Sequence, residues 1–252
     1  MADKGITRDN LSQELIDELD ALSGGASAII PSNKVTSVAC GGLAAGTDIS
    51  NKSLVDAFLQ VVCPYQTPDI TTFTANKTVY ESGTTVSSIK FTVKVTKKSN
   101  PITSITLYNG ANIITTFANV TNGGTFEYTY TGNITTNSTF KVIASDGTNS
   151  SNKTLAVTFV NPMYVGIASG TLTKLVQAKG TGYTYNNITC TNDKVVFKYP
   201  ASYGNLTSIK DANNFEYLSA FTKTTEVISG VNYNVYTSNS ATLTDFKYIF
   251  SF

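Results

Sequence analysis

The side chains best suited to acid–base chemistry are four carboxylates near the end of the chain. They are Asp193, Asp211, Glu216 and Asp245, and they are scattered through loop-like segments. A hydrolase needs paired carboxylates or a nucleophile beside a base, and the chain has no histidine to complete a common triad. Because carboxylates in such segments more often cap turns, we expect that the protein is not an enzyme.

Cysteine and glycine spacing gives no sign of a cofactor. Cys40, Cys63 and Cys190 include no pair at metal-ligand spacing, and without histidine a zinc site would need carboxylates. We expect small buried thiols in a reducing compartment. The run GGLAAG at residues 41–46 lacks the Lys-Ser/Thr pair that holds phosphate and magnesium, so flexibility explains it better. No cofactor or metal is predicted.

The tyrosines of the C-terminal stretch could bind a ligand. A tyrosine ring offers an apolar face and a polar tip, which suits stacking against a sugar. The candidate contacts are Tyr203, Tyr217, Tyr233 and Tyr236. The alternative is that some of these rings fill strand interiors, and we favour core or interface packing over glycan binding.

The charge of the chain excludes several partners. The 252 residues carry a formal net charge of only +1, and 14% are charged, so no strong field attracts nucleic acid or an anionic membrane. No stretch approaches the ~20 apolar residues that span a bilayer, and the first ten residues contain no signal-peptide run. We expect synthesis in a cytoplasm. A surface of Thr, Asn and Ser suits an extracellular or virion protein, or an assembly covered by neighbours.

An amphipathic helix is predicted over residues 11–22, between the possible cap Asn10 and the glycines at 24–25. One helix of this length is marginal alone, so its apolar stripe must be buried against something. It could pack on its own domain, meet symmetry mates in a short bundle, or dock on another protein. The stripe consists of Leu11, Leu15, Ile16, Leu19 and Leu22.

A second short helix is predicted over residues 53–62, where apolar residues recur at helical spacing and Pro64 ends the pattern. Asp48 or Ser50 could cap it. Residues 26–47 are small and polar and predict an extended connector. Together these segments form an N-terminal attachment or oligomerisation region over residues 1–66.

Residues 87–109 predict the central hairpin of an all-β domain. The first half alternates strictly, from Ile89 to Val95, between apolar residues and lysines or threonines, which is the period of a strand with one dry face. A polar turn at residues 97–101 follows. The apolar run then restarts at Ile102, with a spacing that indicates a bulge or a late strand start.

The hairpin belongs to a predicted immunoglobulin-like sandwich over residues 67–161. Seven or eight short strands, with turn signals every dozen residues or so, are typical of that fold. They include an early strand pair around Ile70 and Tyr80 and a turn at Gly123-Gly124. The Asn-Pro sequence at 161–162 marks the end of the domain.

Residues 162–252 predict a second β domain, so the fold class is mainly β. Its last strand alternates apolar residues to the carboxyl terminus, and we expect it to be paired inside a sheet because an unpaired one would promote aggregation. The domain begins with apolar residues at 164–166. The further predicted strands are 172–176, 183–188, 194–199, 215–221, 231–236 and 246–252.

Four stretches together resemble bacteriophage virion structural proteins of the fibre, baseplate-appendage and head-fibre kind: GITRDNLSQELIDELDAL, CGGLAAGTDISNKSLVDAFLQVVCPYQTP, VYESGTTVSSIKFTVKVTKKSNPIT and KVVFKYPASYGNLTSIKDANNFEYLSAFTKTT. The resemblance covers nearly the whole chain. It implies a trimer whose N-terminal segment attaches to the particle while the β domains project outward. The attachment helix would carry Leu11, Leu15, Leu19 and Leu22. Because the chain lacks a long coiled-coil or β-helical shaft, a short appendage, an adaptor or a capsid-bound head fibre is favoured.

We therefore expect a non-enzymatic phage structural protein, made in the host cytoplasm and located in the virion. Its partners would be capsid, collar, tail or baseplate proteins and further copies of the chain, with neither nucleic acid nor membrane insertion involved. The alternative is a carbohydrate-binding receptor module whose tyrosine-rich C-terminal loops engage a host surface glycan.

Overall fold

The computed structural model describes residues 29–30, 32–36, 43–62, 64–239 and 241–252. Within these residues the one α-helix, α1, spans Leu54–Val62, and sixteen strands follow it. The predicted mainly β fold class is confirmed. The strands form four sheets, and two hydrophobic clusters divide them into a first β unit (residues 69–160) and a second β unit (residues 163–251).

The first β unit consists of two sheets. In chain order, β1 to β8 span Asp69–Ala75, Val79–Glu81, Ile89–Thr96, Ser104–Asn109, Asn112–Thr116, Gly123–Tyr130, Ser138–Ser145 and Ser150–Val160. One sheet has the order β1-β3-β6, and the other has the order β2-β8-β7-β4-β5. Every pair is antiparallel except β2 with β8, which run parallel.

Alternation along the strands builds a core between these sheets. The apolar residues of β3, from Ile89 to Val95, are at most 2% exposed, whereas Lys90 between them is exposed. The two sheets meet through aromatic rings, since Phe91 of β3 and Phe140 of β7 have ring centroids 4.6 Å apart. The dry face predicted for this strand is the face that packs against the opposite sheet.

The predicted central hairpin is wrong, because β3 and β4 do not pair. β3 lies between β1 and β6, whereas β4 lies between β5 and β7 in the other sheet. A strand in a hairpin and a strand that leads into the opposite sheet each bury one face. The same alternation of apolar and polar residues therefore fits both cases. Residues 97–103 make the crossing, and β4 starts late, at Ser104, after the buried Ile102.

Two further details of the first unit differ from prediction. The segments around Ile70 and Tyr80 are strands β1 and β2, but they join different sheets and do not pair. Gly123 and Gly124 lie within β6 and not in a turn. A Cβ atom on Gly123 would lie 2.5 Å from the Val95 carbonyl oxygen, so this strand position requires glycine.

The second β unit repeats the two-sheet plan. β9 to β16 span Met163–Ile167, Thr173–Leu175, Gly182–Asp193, Val195–Pro200, Ser208–Lys210, Phe221–Ile228, Val231–Ser238 and Ala241–Ser251. The sheet orders are β10-β9-β12-β15-β14 and β11-β16-β13. The terminal strand β16 pairs with β11 on one side and β13 on the other, which confirms that it is paired inside a sheet.

The predicted strand at 215–221 is wrong. A loop and a 3-10 turn, Leu218–Ala220, occupy this region, and β14 begins only at Phe221. β14 is an edge strand that exposes nearly all its side chains, so its sequence lacks the alternation that marks a half-buried strand.

The described part of the N-terminal region folds back on itself and does not extend as predicted. Isolated bridges join Ile29 to Ser53 and Val35 to Asp48. α1 follows at once, and the Asp56 N–H donates to Ser53 Oγ over 2.9 Å. Ser53 is therefore the cap, in place of the predicted Asp48 or Ser50.

The two β units follow each other closely. β8 ends at Val160 and β9 begins at Met163, so the predicted boundary at residue 161 lies in their connection. Lys174 Nζ of β10 lies 2.6 Å from Glu81 Oε1 of β2, which joins the two units through one ion pair. The assignment of these units as independent domains stays a prediction.

Candidate functional site

The predicted attachment residues Leu11, Leu15, Ile16, Leu19 and Leu22 lie outside the described residues, as do Cys40 and Cys63. Cys190 is a half-buried free thiol. Across the described ranges, no cluster of three or more His, Cys, Asp or Glu side chains is placed to hold a metal ion. No helix in the same ranges has the length and apolar character needed to cross a bilayer.

Exposed apolar surface is concentrated before the first β unit. Among the described residues nine large apolar side chains are exposed, and six of them lie between residues 29 and 65. Three of the six recur every fourth residue of α1 and so form one stripe along the helix, which we call the α1 stripe. Its members Leu54, Phe58 and Val62 are 57%, 45% and 36% exposed.

The other three of these six exposed residues lie outside α1. Ile29, Val35 and Tyr65 are exposed by 62%, 61% and 40%, whereas Ala57 and Leu59 of the helix are buried. Sequence periodicity predicts α1 but cannot assign its faces, because the helix is apolar on several sides. The structure separates the faces: Leu54, Phe58 and Val62 are exposed, and Ala57 and Leu59 are buried.

The chain between α1 and β1 is held against the first β unit. The Tyr65 hydroxyl donates to Asp146 Oδ2 over 2.5 Å, and the Gln66 N–H donates to Ser99 Oγ over 2.8 Å. Asp146 lies in the β7–β8 turn, where its Oδ1 accepts from the Thr148 and Asn149 N–H groups. These contacts fix where the N-terminal region leaves the sandwich.

These donors also affect the pKa of Asp146. Burial acts to raise its pKa, but hydrogen bonds from the Asn149 N–H, the Tyr65 hydroxyl and the Thr148 N–H outweigh it and lower the pKa below the ordinary value. The carboxylate therefore serves a structural role, in which it joins the turn to the incoming chain.

The four candidate tyrosines do not form one ligand surface. Tyr233 and Tyr236 are only 2% and 4% exposed, so both rings pack in the core, which is the alternative favoured from sequence. Tyr203 and Tyr217 are half-buried at the rim of the core. Tyr203 contacts Phe252, which follows β16, whereas Tyr217 contacts Phe246 and Tyr248 within β16. The two rings therefore pack against different parts of the end of the chain.

The buried tyrosines use their hydroxyls inside the fold. Tyr233 donates to the Pro162 carbonyl oxygen over 2.9 Å, and burial raises its pKa to about 12. Tyr199 donates to the Gly204 carbonyl oxygen over 3.1 Å, and Asn234 Nδ2 donates to the same oxygen over 2.7 Å. Tyr199 and Asn234 thus hold the loop after β12 in place, which is a structural role.

Three of the four candidate carboxylates accept hydrogen bonds, and the fourth, Asp245, lies within β16. Asp193 accepts from the Lys194 N–H over 2.7 Å and from the Ser169 hydroxyl. Glu216 Oε1 accepts from the Ile209 and Leu218 N–H groups, each over 2.9 Å, and the first of these donors contributes most to its lowered pKa. No acid–base pair is formed by this arrangement.

Asp211 organises the loop at residues 211–215. It is 5% exposed, and its Oδ1 accepts from the Asn213 N–H over 2.8 Å and the Phe215 N–H over 3.0 Å. The Asp211 N–H in turn donates to the Phe215 carbonyl oxygen over 3.1 Å, which closes the loop. Asn214 adopts φ +66°, a conformation that asparagine tolerates better than most residues.

The loop presents its side chains to solvent. Phe215 is 65% exposed, and Asn213 and Asn214 are exposed beside it. Neither asparagine side chain forms a hydrogen bond within the described ranges. The sequence run Asp-Ala-Asn-Asn indicates a tight turn. The predicted strand at 215–221 included Phe215, so its exposure was not predicted.

No protein-family model matches the chain, and no curated protein matches it.

Proposed function

We propose that the protein is a non-enzymatic structural component of a phage particle, attached through residues 1–66 and displaying two β units as a short fibre or appendage. The observation that carries the proposal is the concentration of exposed apolar side chains between residues 29 and 65. Apolar surface of this kind is typical of a protein–protein contact, whereas the two β units bury their apolar residues in their own cores.

The connection to the first β unit supports the same orientation. Tyr65 and Gln66 are hydrogen-bonded to Asp146 and Ser99, so a bound N-terminal region would carry the sandwich at a defined angle. The partners would be capsid, collar, tail or baseplate proteins, and further copies of the chain, a trimer being favoured. The strand orders β1-β3-β6 and β2-β8-β7-β4-β5 support the Ig-like assignment of the first unit.

The test is incorporation into particles. Particles would be assembled with the complete chain, with residues 1–24 deleted, or with Leu54→Gln and Phe58→Gln combined, and purified by density gradient. We expect both altered chains to be lost from particles while their circular dichroism shows folded β units. Val227→Gln, which changes an equally exposed residue of β14, is the matched control and is expected to be incorporated normally. Retention of the deleted chain on particles would contradict attachment through this region.

A further inference from the structure

We infer that the loop at residues 211–215 is a carbohydrate-binding site that takes a neutral pyranose. The inference rests on the loop alone and is independent of the proposed attachment of residues 1–66. It differs from the tyrosine surface expected from sequence, because it uses Phe215 and two asparagines and none of the four tyrosines.

The ring of Phe215 has the size and setting of a sugar platform. It is 65% exposed and makes no contact with another aromatic ring among the described residues, unlike the half-buried Tyr203 and Tyr217. An exposed aromatic face packs against the C–H face of a pyranose. The neighbouring loop residues are small or polar, so the apolar area is one ring wide, which is too small for the core of a stable protein interface.

Two asparagine side chains precede Phe215 in the same loop. Asn213 and Asn214 are exposed, and their side chains form no hydrogen bond in the described part of the chain. Each amide offers donors and an acceptor, which matches the hydroxyl groups of a sugar. One exposed loop therefore carries both an aromatic ring and amide groups, the apolar and the polar contacts that a pyranose requires.

The loop is ordered before any ligand arrives. Asp211 accepts two backbone N–H groups, and the Asp211–Phe215 backbone hydrogen bond closes the loop at 3.1 Å. Tyr217 adds a hydroxyl 3.5 Å from Asp211 Oδ2. A binding loop held in one conformation loses less conformational entropy when a ligand binds, which favours the weak contacts that sugars make.

The electrostatics of the loop select the class of sugar. Residues 212–215 carry no charged side chain, and the carboxylates of Asp211 and Glu216 on either side accept backbone N–H groups. Lys210 borders the loop opposite Glu216, but the Asp211 and Glu216 carboxylates outnumber this one cation. The loop therefore offers a sugar acid no excess of positive charge, and a neutral pyranose fits better than an anionic one.

The experiment is binding of the purified complete chain to an array of neutral and acidic bacterial surface oligosaccharides, followed by titration calorimetry with the best neutral binder. We expect Phe215→Ala to weaken binding about tenfold and Asn213→Ala or Asn214→Ala about fivefold. Phe215→Tyr keeps an aromatic face and should restore binding to within about threefold. Val227→Ala is the control, since Val227 is 66% exposed on the same unit and should leave binding unchanged.

Several results would overturn the inference. They are a complete chain that binds no neutral oligosaccharide, a chain that binds only acidic ones, and Phe215→Ala binding as well as the unaltered chain. Binding of a protein partner through Phe215 without any sugar would overturn it too. Thermal melting of each variant checks folding, and because Phe215 is exposed we expect no change in the melting temperature. Particle incorporation of Phe215→Ala should stay normal, which separates this test from that of the attachment region.

Discussion

The Tyr65 hydroxyl lies 2.5 Å from Asp146 Oδ2, although 81 positions separate the two residues in the chain. This hydrogen bond connects the segment after α1 to the β7–β8 turn. Because the same carboxylate also accepts the Thr148 and Asn149 N–H groups, one side chain both shapes the turn and receives the N-terminal region.

Removing this contact should lower stability in a pH-dependent way. Asp146 has a lowered pKa in the fold, so its hydrogen bonds stabilise the protein above its ordinary pKa of about 3.9 and are lost as pH falls through the folded value. We expect Tyr65→Phe to reduce the free energy of unfolding at pH 7, and this difference to shrink below about pH 4. Urea unfolding at several pH values measures it.

Tyr128→Phe is the matched control for this change. Tyr128 of β6 is half-buried, and its hydroxyl forms no hydrogen bond in the described part of the chain. We expect its loss to leave stability unchanged at both pH values. An equal effect of the two substitutions would mean that the Tyr65–Asp146 hydrogen bond does not stabilise the fold.

The contact between the sheets of the first unit predicts energetic coupling. Phe91 and Phe140 are fully buried, so alanine at either position should cost about 3–5 kcal/mol. Because the rings touch, a double-mutant cycle with leucine at both positions should give a coupling of about 1 kcal/mol. Lys90→Ala, on the exposed side of β3, should change stability by less than about 0.5 kcal/mol. Strictly additive effects at the two phenylalanines would argue against this packing.

Deleting residues 248–252 should unfold the second unit. The deletion removes Tyr248 and Phe250, which are 5% and 0% exposed. It also removes all pairing of β13 with β16 and the part of the β11 ladder from Gly182 to Tyr185. Phe250 also stacks on Phe197 with ring centroids 4.5 Å apart. We expect circular dichroism to lose β signal and one melting transition to disappear, whereas Lys247→Ala should leave both intact. An unchanged melting curve after the deletion would contradict the role of β16.

Alkaline titration should separate buried from exposed tyrosines. Burial raises the pKa of Tyr233 to about 12, so its neutral form stabilises the fold below the ordinary value of about 10, and this contribution is lost as pH rises toward 12. We expect absorbance at tyrosinate wavelengths to rise in two phases, the second together with unfolding. Tyr233→Phe should cost about 1 kcal/mol at pH 7, because it removes the hydrogen bond to Pro162. A single phase near pH 10 would contradict burial of these rings.

The alternation of β3 and β16 made those strands predictable from sequence, because one face of each is buried and the other is wet or half-buried. Pairing was harder to predict. β3 has the same pattern whether it faces a hairpin partner or an opposite sheet, and that choice depends on residues far away, such as Phe140. β14 was missed because an edge strand exposed on both sides has no period to detect.

Site residues were predictable only where local chemistry decides their role. The carboxylates at Asp211 and Glu216 accept backbone N–H groups, as turn-forming segments lead one to expect. The burial of Tyr233 could not be predicted from sequence. β15 is buried on both faces, and its polar residue Asn234 is buried like the apolar residues beside it. The exposure of the Phe215 ring depends on the loop that Asp211 closes. No single sequence pattern specifies the conformation of that loop.

The parallel pairing of β2 with β8 bears on how the chain would carry a mechanical load. Since the two strands run in the same direction, the chain enters the first unit at one end and leaves it at the opposite end. Tension between the N-terminal region and the second unit would act along the strands, so the ladder from Val79–Glu81 to residues 158–160 would be loaded in shear, with its hydrogen bonds strained together. A connection of this kind resists pulling better than one whose bonds open singly.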